Sequence, residues 1–298
     1  MSSTSTSSGT SSGPVVVGVD GSPAGDHAVL WAAEEAALRH RSLTLVHAQR
    51  RIAADDLAWL ASAGVSTQQV GDQLRAEAER VVQRARELAT DRSPGLTVET
   101  VIAEVDPRTL LLEAGSTADL TVVGTRGHGR VASLLLGSVS SALVRHSSRP
   151  VAVVRPQQDH GRGVLVGADG SEESLGLVEH AFREASLRRL PLTVVHCLWD
   201  GLLAQVRWTT VSETDPVAED ARLALAESVA GMGEKFPDVQ MSVLVTRGAV
   251  DACLVDLSAR YDLLLIGRPV RPLLLRLTMS GLTLPVVEHA HSPVLVVP

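Results

Sequence analysis

Two glycine-bearing segments in the first half of the chain have the composition of a phosphate-binding site. The first is Gly124-Thr125-Arg126-Gly127, and the second begins at Gly137-Ser138, after a gap of nine residues. Glycine lets the backbone turn tightly and bring its N–H groups close to a ligand, and a helix starting at Ser138 would offer its N-terminus to an anion. We therefore expect the two segments to form one phosphate cradle, with Arg126 and Arg130 as secondary candidates for neutralising charge.

The elements around these segments read as alternating strands and helices. Nearly continuous apolar runs predict strands over residues 15–19, 43–47, 96–103, 120–123 and 150–154. Such runs are typical of parallel strands covered by helices on both faces. The stripe Ala28, Val29, Ala32, Ala33 and Ala36 predicts the buried face of the first helix. Ligands of such sheets bind at the carboxyl ends of strands where strand order reverses, so we expect Asp20 and Gly124 to meet there.

The chain contains this pattern twice. VVVGVDGS (15–22) recurs 149 residues later as VLVGADGS (164–171), as does LTLVHA (43–48) as LTVVHC (192–197). ADLTVVG (118–124) matches YDLLLIG (261–267) after 143 residues. The sequence therefore predicts two tandem doubly wound α/β domains, each with a five-stranded parallel sheet, over residues 14–156 and 164–298. A linker over 157–163 and a disordered Ser/Thr-rich leader over 1–13 complete the predicted organisation.

The spaced GxxG and GS motifs, with the upstream VDGS and a closing PVAVV strand, resemble the nucleotide-binding pattern of the universal stress protein family in its tandem form. The resemblance implies a flavodoxin-like, adenine nucleotide alpha hydrolase-like fold with strand order 3-2-1-4-5 and ATP as ligand. By position it places Asp20 at the ribose, and Ala48 with Val123 at the adenine. It assigns the phosphates to Gly124, Gly127, Gly137, Ser138 and Val139, with Ser140 as a weaker candidate.

The second copy departs from the pattern in its own loop. Gly127 corresponds to Val270, and Gly137-Ser138 to Ser280-Gly281, while Pro269 and Pro272 remove two N–H donors. We therefore expect one nucleotide per chain, bound by the first half.

Several candidate residues also have purely structural interpretations. Asp20 could accept hydrogen bonds within its own loop, and Ser138 could act only as a helix cap. Ser22 followed by Pro23 has the pattern of a helix N-cap. His47 and His196 occupy equivalent positions, which favours hydrogen bonding to the backbone over catalysis.

The motifs of fast nucleotide chemistry are missing from the sequence. The only lysine is Lys235, so the Walker motif GxxxxGK[ST] is absent, as are the kinase motifs. We interpret the chain as a stress-response sensor or regulator that holds ATP, alone or with Mg²⁺, and leave slow hydrolysis or self-phosphorylation open. The alternatives are an interaction module that dimerises through its closing strand PVLVV, and a slow ATPase.

Composition limits the class of protein further. The formal net charge of −7 over 298 residues disfavours nucleic acid as a partner. No apolar run is long enough to span a membrane. Two cysteines without CxxC spacing suggest neither a disulfide framework nor a zinc site. We expect a cytoplasmic protein that forms a homodimer or binds an unidentified protein, since the final strand of an open sheet offers an unpaired edge.

Overall fold

The computed structural model describes residues 13–49, 59, 62–127, 136–156, 161–199, 208–212, 215–268 and 282–298. These residues form eleven strands: β1 (Val15–Gly18), β2 (Leu43–Ala48), β3 (Val98–Ala103), β4 (Leu120–Gly124), β5 (Val151–Val154), β6 (Val164–Gly167), β7 (Leu192–Trp199), β8 (Thr209–Thr210), β9 (Met241–Gly248), β10 (Leu263–Gly267) and β11 (Val294–Val297). The helices in the same part of the chain are α1 (Pro23–Leu38), α2 (Thr67–Arg92), α3 (Pro107–Gly115), α4 (Ser138–His146), α5 (Glu172–Arg188), α6 (Pro216–Val229), α7 (Met232–Lys235), α8 (Val250–Ser258) and α9 (Thr283–His289).

Both halves have the predicted strand order. The first half forms β3-β2-β1-β4-β5 and the second forms β9-β7-β6-β10-β11, with every neighbouring pair parallel. Each half therefore has the order 3-2-1-4-5 expected of a doubly wound α/β domain. The fold class predicted from the sequence is confirmed.

The two halves share one sheet. Strand β5 pairs with β11 in antiparallel orientation, with Val153 opposite Val294 and Val151 opposite Val296. The prediction of an unpaired closing strand is therefore wrong, because each closing strand satisfies the backbone groups of the other. The alternative in which two chains dimerise through the PVLVV strand loses its basis for the same reason.

One strand has no counterpart in the predicted pattern. Strand β8 pairs antiparallel with β9, with Thr209 opposite Arg247 and Thr210 opposite Thr246. It covers the edge of the second half with only two residues, and a two-residue strand gives no periodic signal in the sequence.

Helices cover both faces of the sheet, as the apolar strands require. The predicted stripe on α1 is fully buried, and so is its counterpart on α5, which consists of Leu177, Val178, Ala181, Phe182 and Ala185. The small side chains of α1 let its backbone approach the sheet closely. A Cβ atom at Gly124 would lie 2.7 Å from the carbonyl oxygen of Ala24, so this position requires glycine.

Candidate functional site

The candidate site lies at the strand-order reversal of the first half. Strands β1 and β4 are neighbours, with Val17 opposite Val122, and both point their carboxyl ends to the same edge of the sheet. The chain continues from β1 into the loop that carries Asp20, and from β4 into Thr125-Arg126-Gly127. The structure thus brings together the two loops that the sequence predicted to meet.

Asp20 organises the start of α1. Its Oδ1 accepts hydrogen bonds from the backbone N–H of Ser22 (3.0 Å) and from the Ser22 hydroxyl (2.6 Å). Ser22 in turn is the N-cap of α1, because its Oγ accepts from the N–H of Gly25 at 3.1 Å and Pro23 occupies the first turn. The predicted N-cap role of Ser22 is confirmed, and the structural role foreseen for Asp20 applies to its Oδ1.

The second oxygen of Asp20 faces the glycine loop. A Cβ atom at Gly127 would overlap Oδ2 of Asp20, and one at Gly25 would lie 2.6 Å from Oδ1. Gly127 is therefore glycine because the carboxylate of Asp20 lies against its backbone. Asp20 is half-buried whereas Gly127 is exposed, so this junction opens to solvent.

The second glycine segment lies against the first. Position 137 is close to the loop backbone, since a Cβ at Gly137 would be 3.5 Å from the Thr125 oxygen and 3.6 Å from Arg126 Cα. The N–H of Gly137 donates to that Thr125 oxygen at 2.8 Å. This hydrogen bond joins the two segments, so the Gly137 amide is not available to a ligand.

The N-terminus of α4 follows directly. Its N-cap is Gly137, which has no side chain with which to accept from the first-turn N–H groups. Ser138 at the start of the helix is exposed, and Val139 is half-buried. The backbone amides of Ser138 and Val139, with the helix dipole behind them, are the donors that this geometry offers to an anion.

Two residues assigned to the phosphates have structural roles. Gly124 is buried against α1, and the buried hydroxyl of Ser140 donates to the Gly124 oxygen at 2.7 Å. The Ser140 hydroxyl therefore connects α4 to the end of β4, and its hydrogen is not available to a ligand. Gly124 and Ser140 therefore hold the start of α4 against the end of β4.

An apolar surface lies beside the cradle. Val123 is buried, and the half-buried side chains of Ala48 and Val139 pack against the same apolar cluster. His47, next to Ala48, places its Nδ1 at 2.7 Å from the Val19 oxygen. The backbone role predicted for His47 is confirmed.

Two arginines were predicted to lie at this edge. Arg126 is exposed in the loop between Thr125 and Gly127. Arg130 lies outside the described residues. The anion donors that the described geometry places at the start of α4 are backbone amides.

Helix α4 is held at its other end by the second half. Arg268 donates through Nη1 to the carbonyl oxygens of Ser147 (2.6 Å) and Arg145 (3.2 Å), at the C-terminal end of α4. Arg155 does the same for α9, through the oxygens of Val287 and Ala290. Burial lowers the pKa of Arg155 to about 10. A cation at the C-terminus of α4 is favourably placed with respect to its dipole, so the second half supports the helix of the candidate site.

The second half repeats the strand-end geometry of the first. Ser171 donates to Asp169 Oδ1 through its N–H (3.1 Å) and its hydroxyl (2.6 Å), and His196 Nδ1 lies 3.1 Å from the Ala168 oxygen. Burial acts to raise the pKa of Asp169, but the hydrogen bonds from Ser171 outweigh it and hold that pKa below its ordinary value. Val270, Ser280 and the rest of the loop predicted to lack the cradle lie outside the described residues.

A ring of four charged side chains joins the halves on one face. Glu35 on α1 and Arg39 at its C-cap correspond to Glu184 and Arg188 on α5, 149 residues later, and each arginine bridges both carboxylates. This ring was not predicted from the sequence. The same i, i+4 Glu–Arg pair does occur in both copies of the repeat, but nothing in the sequence shows that the two pairs meet.

The described residues also bear on metal binding, on membrane spanning and on a second cavity. Within them, no group of three or more His, Cys, Asp or Glu side chains could hold a metal ion. Among the same residues, no helix is long and apolar enough to cross a membrane. A cavity of about 580 Å³ lies at the opposite edge of the sheet, near His40, Ser93 and the start of β3, so it is separate from the cradle.

Comparison with known proteins agrees with this architecture. The universal stress protein family model matches residues 12–155 and 162–298. The chain is 32% identical over 297 residues to a universal stress protein of Mycolicibacterium smegmatis, covering 95% of this chain and 96% of that protein. It is 35% identical over 303 residues to universal stress protein Rv2623 of Mycobacterium tuberculosis, covering 97% and 98%.

A solved structure shows the same fold over the whole chain. The crystal structure of a universal stress protein from Archaeoglobus fulgidus matches with a TM-score of 0.67 and 16% identity, and covers 96% of each chain. Its similarity extends across both halves. The chain belongs to the universal stress protein family, in a form with two copies of the family domain.

Proposed function

We propose that the first half binds one adenine nucleotide per chain, with ATP as the ligand, and that the protein acts as a stress-response sensor or regulator. The observation that carries this proposal is the contact between the two glycine segments. Gly137 lies against Thr125 and Arg126, and Gly127 lies against Asp20, so the uncapped N-terminus of α4 opens beside a carboxylate at the strand-order reversal.

The phosphates, adenine and ribose of the nucleotide are each assigned to a different part of the candidate site. Amides of Ser138 and Val139 donate to the phosphate oxygens, at a helix terminus that favours negative charge. The apolar surface of Ala48, Val123 and Val139 packs against the adenine ring. The half-buried carboxylate of Asp20, at the mouth of the same loop, accepts from a ribose hydroxyl.

The described site holds nucleotide without a means of rapid turnover. The single lysine, Lys235, pairs with Glu179 in the second half at 2.8 Å and serves no phosphate. The donors of the cradle are backbone amides, which bind phosphate but neither accept nor deliver a proton. The role of the nucleotide is then regulatory, and α4, whose other end is held by Arg268 of the second half, is the element through which occupancy is transmitted.

Isothermal titration calorimetry with ATP, ADP and AMP, each with and without Mg²⁺, tests the proposal. We expect ATP binding with a stoichiometry near one per chain. Gly127→Val should weaken binding by at least about 100-fold, or about 2.7 kcal/mol, because its side chain displaces Asp20.

The matched control is Gly71→Val on α2, where an added Cβ meets nothing within 4 Å. This variant should bind ATP as the unmodified protein does. Undiminished affinity in Gly127→Val, or a stoichiometry near two, would contradict the proposed site.

A further inference from the structure

The second half carries two thiols where the first half has apolar side chains. Cys197 near the end of β7 occupies the position of Ala48, and Cys253 on α8 occupies the position of Leu110. The strand neighbour between them also changes, because Thr246 on β9 replaces Ala103 on β3. The edge of the sheet that lines the adenine position in the first half is therefore a polar sulfur cluster in the second.

The two thiols lie together. Cys197 is the register partner of Thr246, so their side chains point to the same face of the sheet. Thr246 Oγ1 lies 3.2 Å from Cys253 Sγ, and the Cys197 thiol lies 3.7 Å from the Gly248 oxygen, so both thiols adjoin Thr246 at the end of the sheet. Both cysteines belong to the apolar cluster on this face, and neither is in a disulfide.

The environments of the two thiols differ. Cys197 is half-buried, whereas Cys253 is fully buried. The hydrogen bond from Cys253 lowers the pKa of Cys197 to about 7, although burial and Asp251 act in the opposite direction. The interaction with Cys197, burial and the negative charge of Asp256 raise the pKa of Cys253. Cys197 is thus the accessible, more acidic thiol, with a second thiol directly behind it.

We propose that Cys197 and Cys253 form a reversible oxidation site, in which a hydroperoxide converts the dithiol to an intramolecular disulfide between β7 and α8. The Cys197 thiol loses its proton to solvent, and the thiolate attacks the terminal peroxide oxygen. The O–O bond breaks, Cys197 becomes a sulfenic acid, and the other oxygen leaves as alkoxide or hydroxide, which takes a proton from solvent and departs as alcohol or water. The Cys253 sulfur then attacks the Cys197 sulfur and the S–O bond breaks, so the departing hydroxide takes the Cys253 proton and leaves as water. The two thiols lose two electrons and the hydroperoxide gains them.

The disulfide is reversed by thiol exchange. A small dithiol attacks one sulfur, passes through a mixed disulfide and restores both cysteines. The site lies in the half that was not assigned a nucleotide.

The test is to treat the full chain with a small molar excess of hydrogen peroxide under native conditions. Mass spectrometry of the intact protein should show the loss of two hydrogens, thiol titration after unfolding should fall from two thiols to none, and dithiothreitol should reverse both changes. A peptide containing residues 197 and 253 joined by a disulfide should appear on digestion. Retention of both thiols, or addition of oxygen to the unlinked cysteines, would overturn the proposal.

Variants taken from the first half provide the controls. Cys253→Leu should gain oxygen at Cys197 in place of losing hydrogen, because no second thiol is available. Cys197→Ala should keep Cys253 reduced, because that thiol is buried. If Cys253→Leu fails to fold by circular dichroism, Cys253→Ala serves the same purpose. Disulfide-linked dimers as the main product of the unmodified protein would also contradict the proposal.

Discussion

The guanidinium of Arg39 donates to the carboxylate of Glu184 across the joint between the halves, with Nη2 2.6 Å from Oε1. Its symmetry counterpart runs from Arg188 to Glu35, and the i, i+4 pairs on each helix close the ring. Burial acts to lower the pKa of Arg39, but Glu184 and Glu35 raise it above its ordinary value. Together with the antiparallel β5–β11 pairing, the ring fixes the orientation of α1 relative to α5.

Removal of one member of this ring should destabilise the protein strongly. Arg39→Met leaves the carboxylates of Glu35 and Glu184 buried with one cation in place of two, which costs about 3–5 kcal/mol for a buried pair. Urea denaturation followed by circular dichroism measures the change. Arg84→Met is the control, because Arg84 pairs with Asp26 while its own side chain is 65% exposed, and the change there should be far smaller. Equal shifts in the two variants would show that the ring contributes no more than a surface ion pair.

Asp20 and Asp169 form a matched pair for testing which half binds nucleotide. Both accept two hydrogen bonds from a serine two residues later, so an asparagine at either position disturbs its own loop to a similar extent. Asp20→Asn should weaken ATP binding by about 10-fold to 100-fold, since hydrogen bonds to charged groups contribute about 1.5–3 kcal/mol. Asp169→Asn should leave the affinity unchanged in calorimetry. The reverse pattern would place the nucleotide in the second half.

Alkylation of Cys197 should depend on pH around neutrality. Only the thiolate reacts, and the Cys253 hydrogen bond lowers the pKa of Cys197 to about 7, so the iodoacetamide rate should rise with pH to half its plateau near pH 7. In Cys253→Ala the midpoint should move upward towards the ordinary value of about 8.5. Mass spectrometry of the residue-197 peptide gives the rates. A midpoint that stays in place in this variant would show that Cys253 does not set the acidity.

Ser140 should matter for stability through its contact with β4. Ser140→Ala leaves the Gly124 oxygen without its donor in a buried position, which costs about 1–3 kcal/mol. The equivalent Thr283 hydroxyl is 3.5 Å from the Gly267 oxygen, a longer contact, so Thr283→Val should cost less. Thermal denaturation of the two variants compares them directly. A larger loss for Thr283→Val would contradict the role given to Ser140.

Helix faces and helix starts could be predicted because each depends on residues that lie close together in the sequence. The stripe from Ala28 to Ala36 specified the buried face of α1, and the Ser22-Pro23 pair specified its start. That the loops after β1 and β4 lie together followed from the strand order that the family resemblance implied, since parallel strands end at one edge of the sheet; the contact of Asp20 with Gly127 itself is seen only in the structure.

Relationships between the two halves were not predictable in the same way. The repeat shows that β5 and β11 are equivalent, but a parallel repeat in sequence carries no information on their antiparallel pairing. Glu35 and Arg39 have the pattern of a solvated helix pair, and only the approach of a second copy buries them. The structural use of Ser140 was missed because the motif placed it among phosphate ligands, whereas its hydroxyl faces the end of β4.

A crystal structure of the protein grown with a non-hydrolysable ATP analogue would show whether the first half binds the nucleotide. We expect one analogue per chain, with phosphate oxygens within hydrogen-bond distance of the Ser138 and Val139 amides, the ribose at Asp20 and the adenine against Ala48. A ligand in the second half, or an empty crevice between Gly127 and Ser138 at saturating analogue, would contradict this expectation.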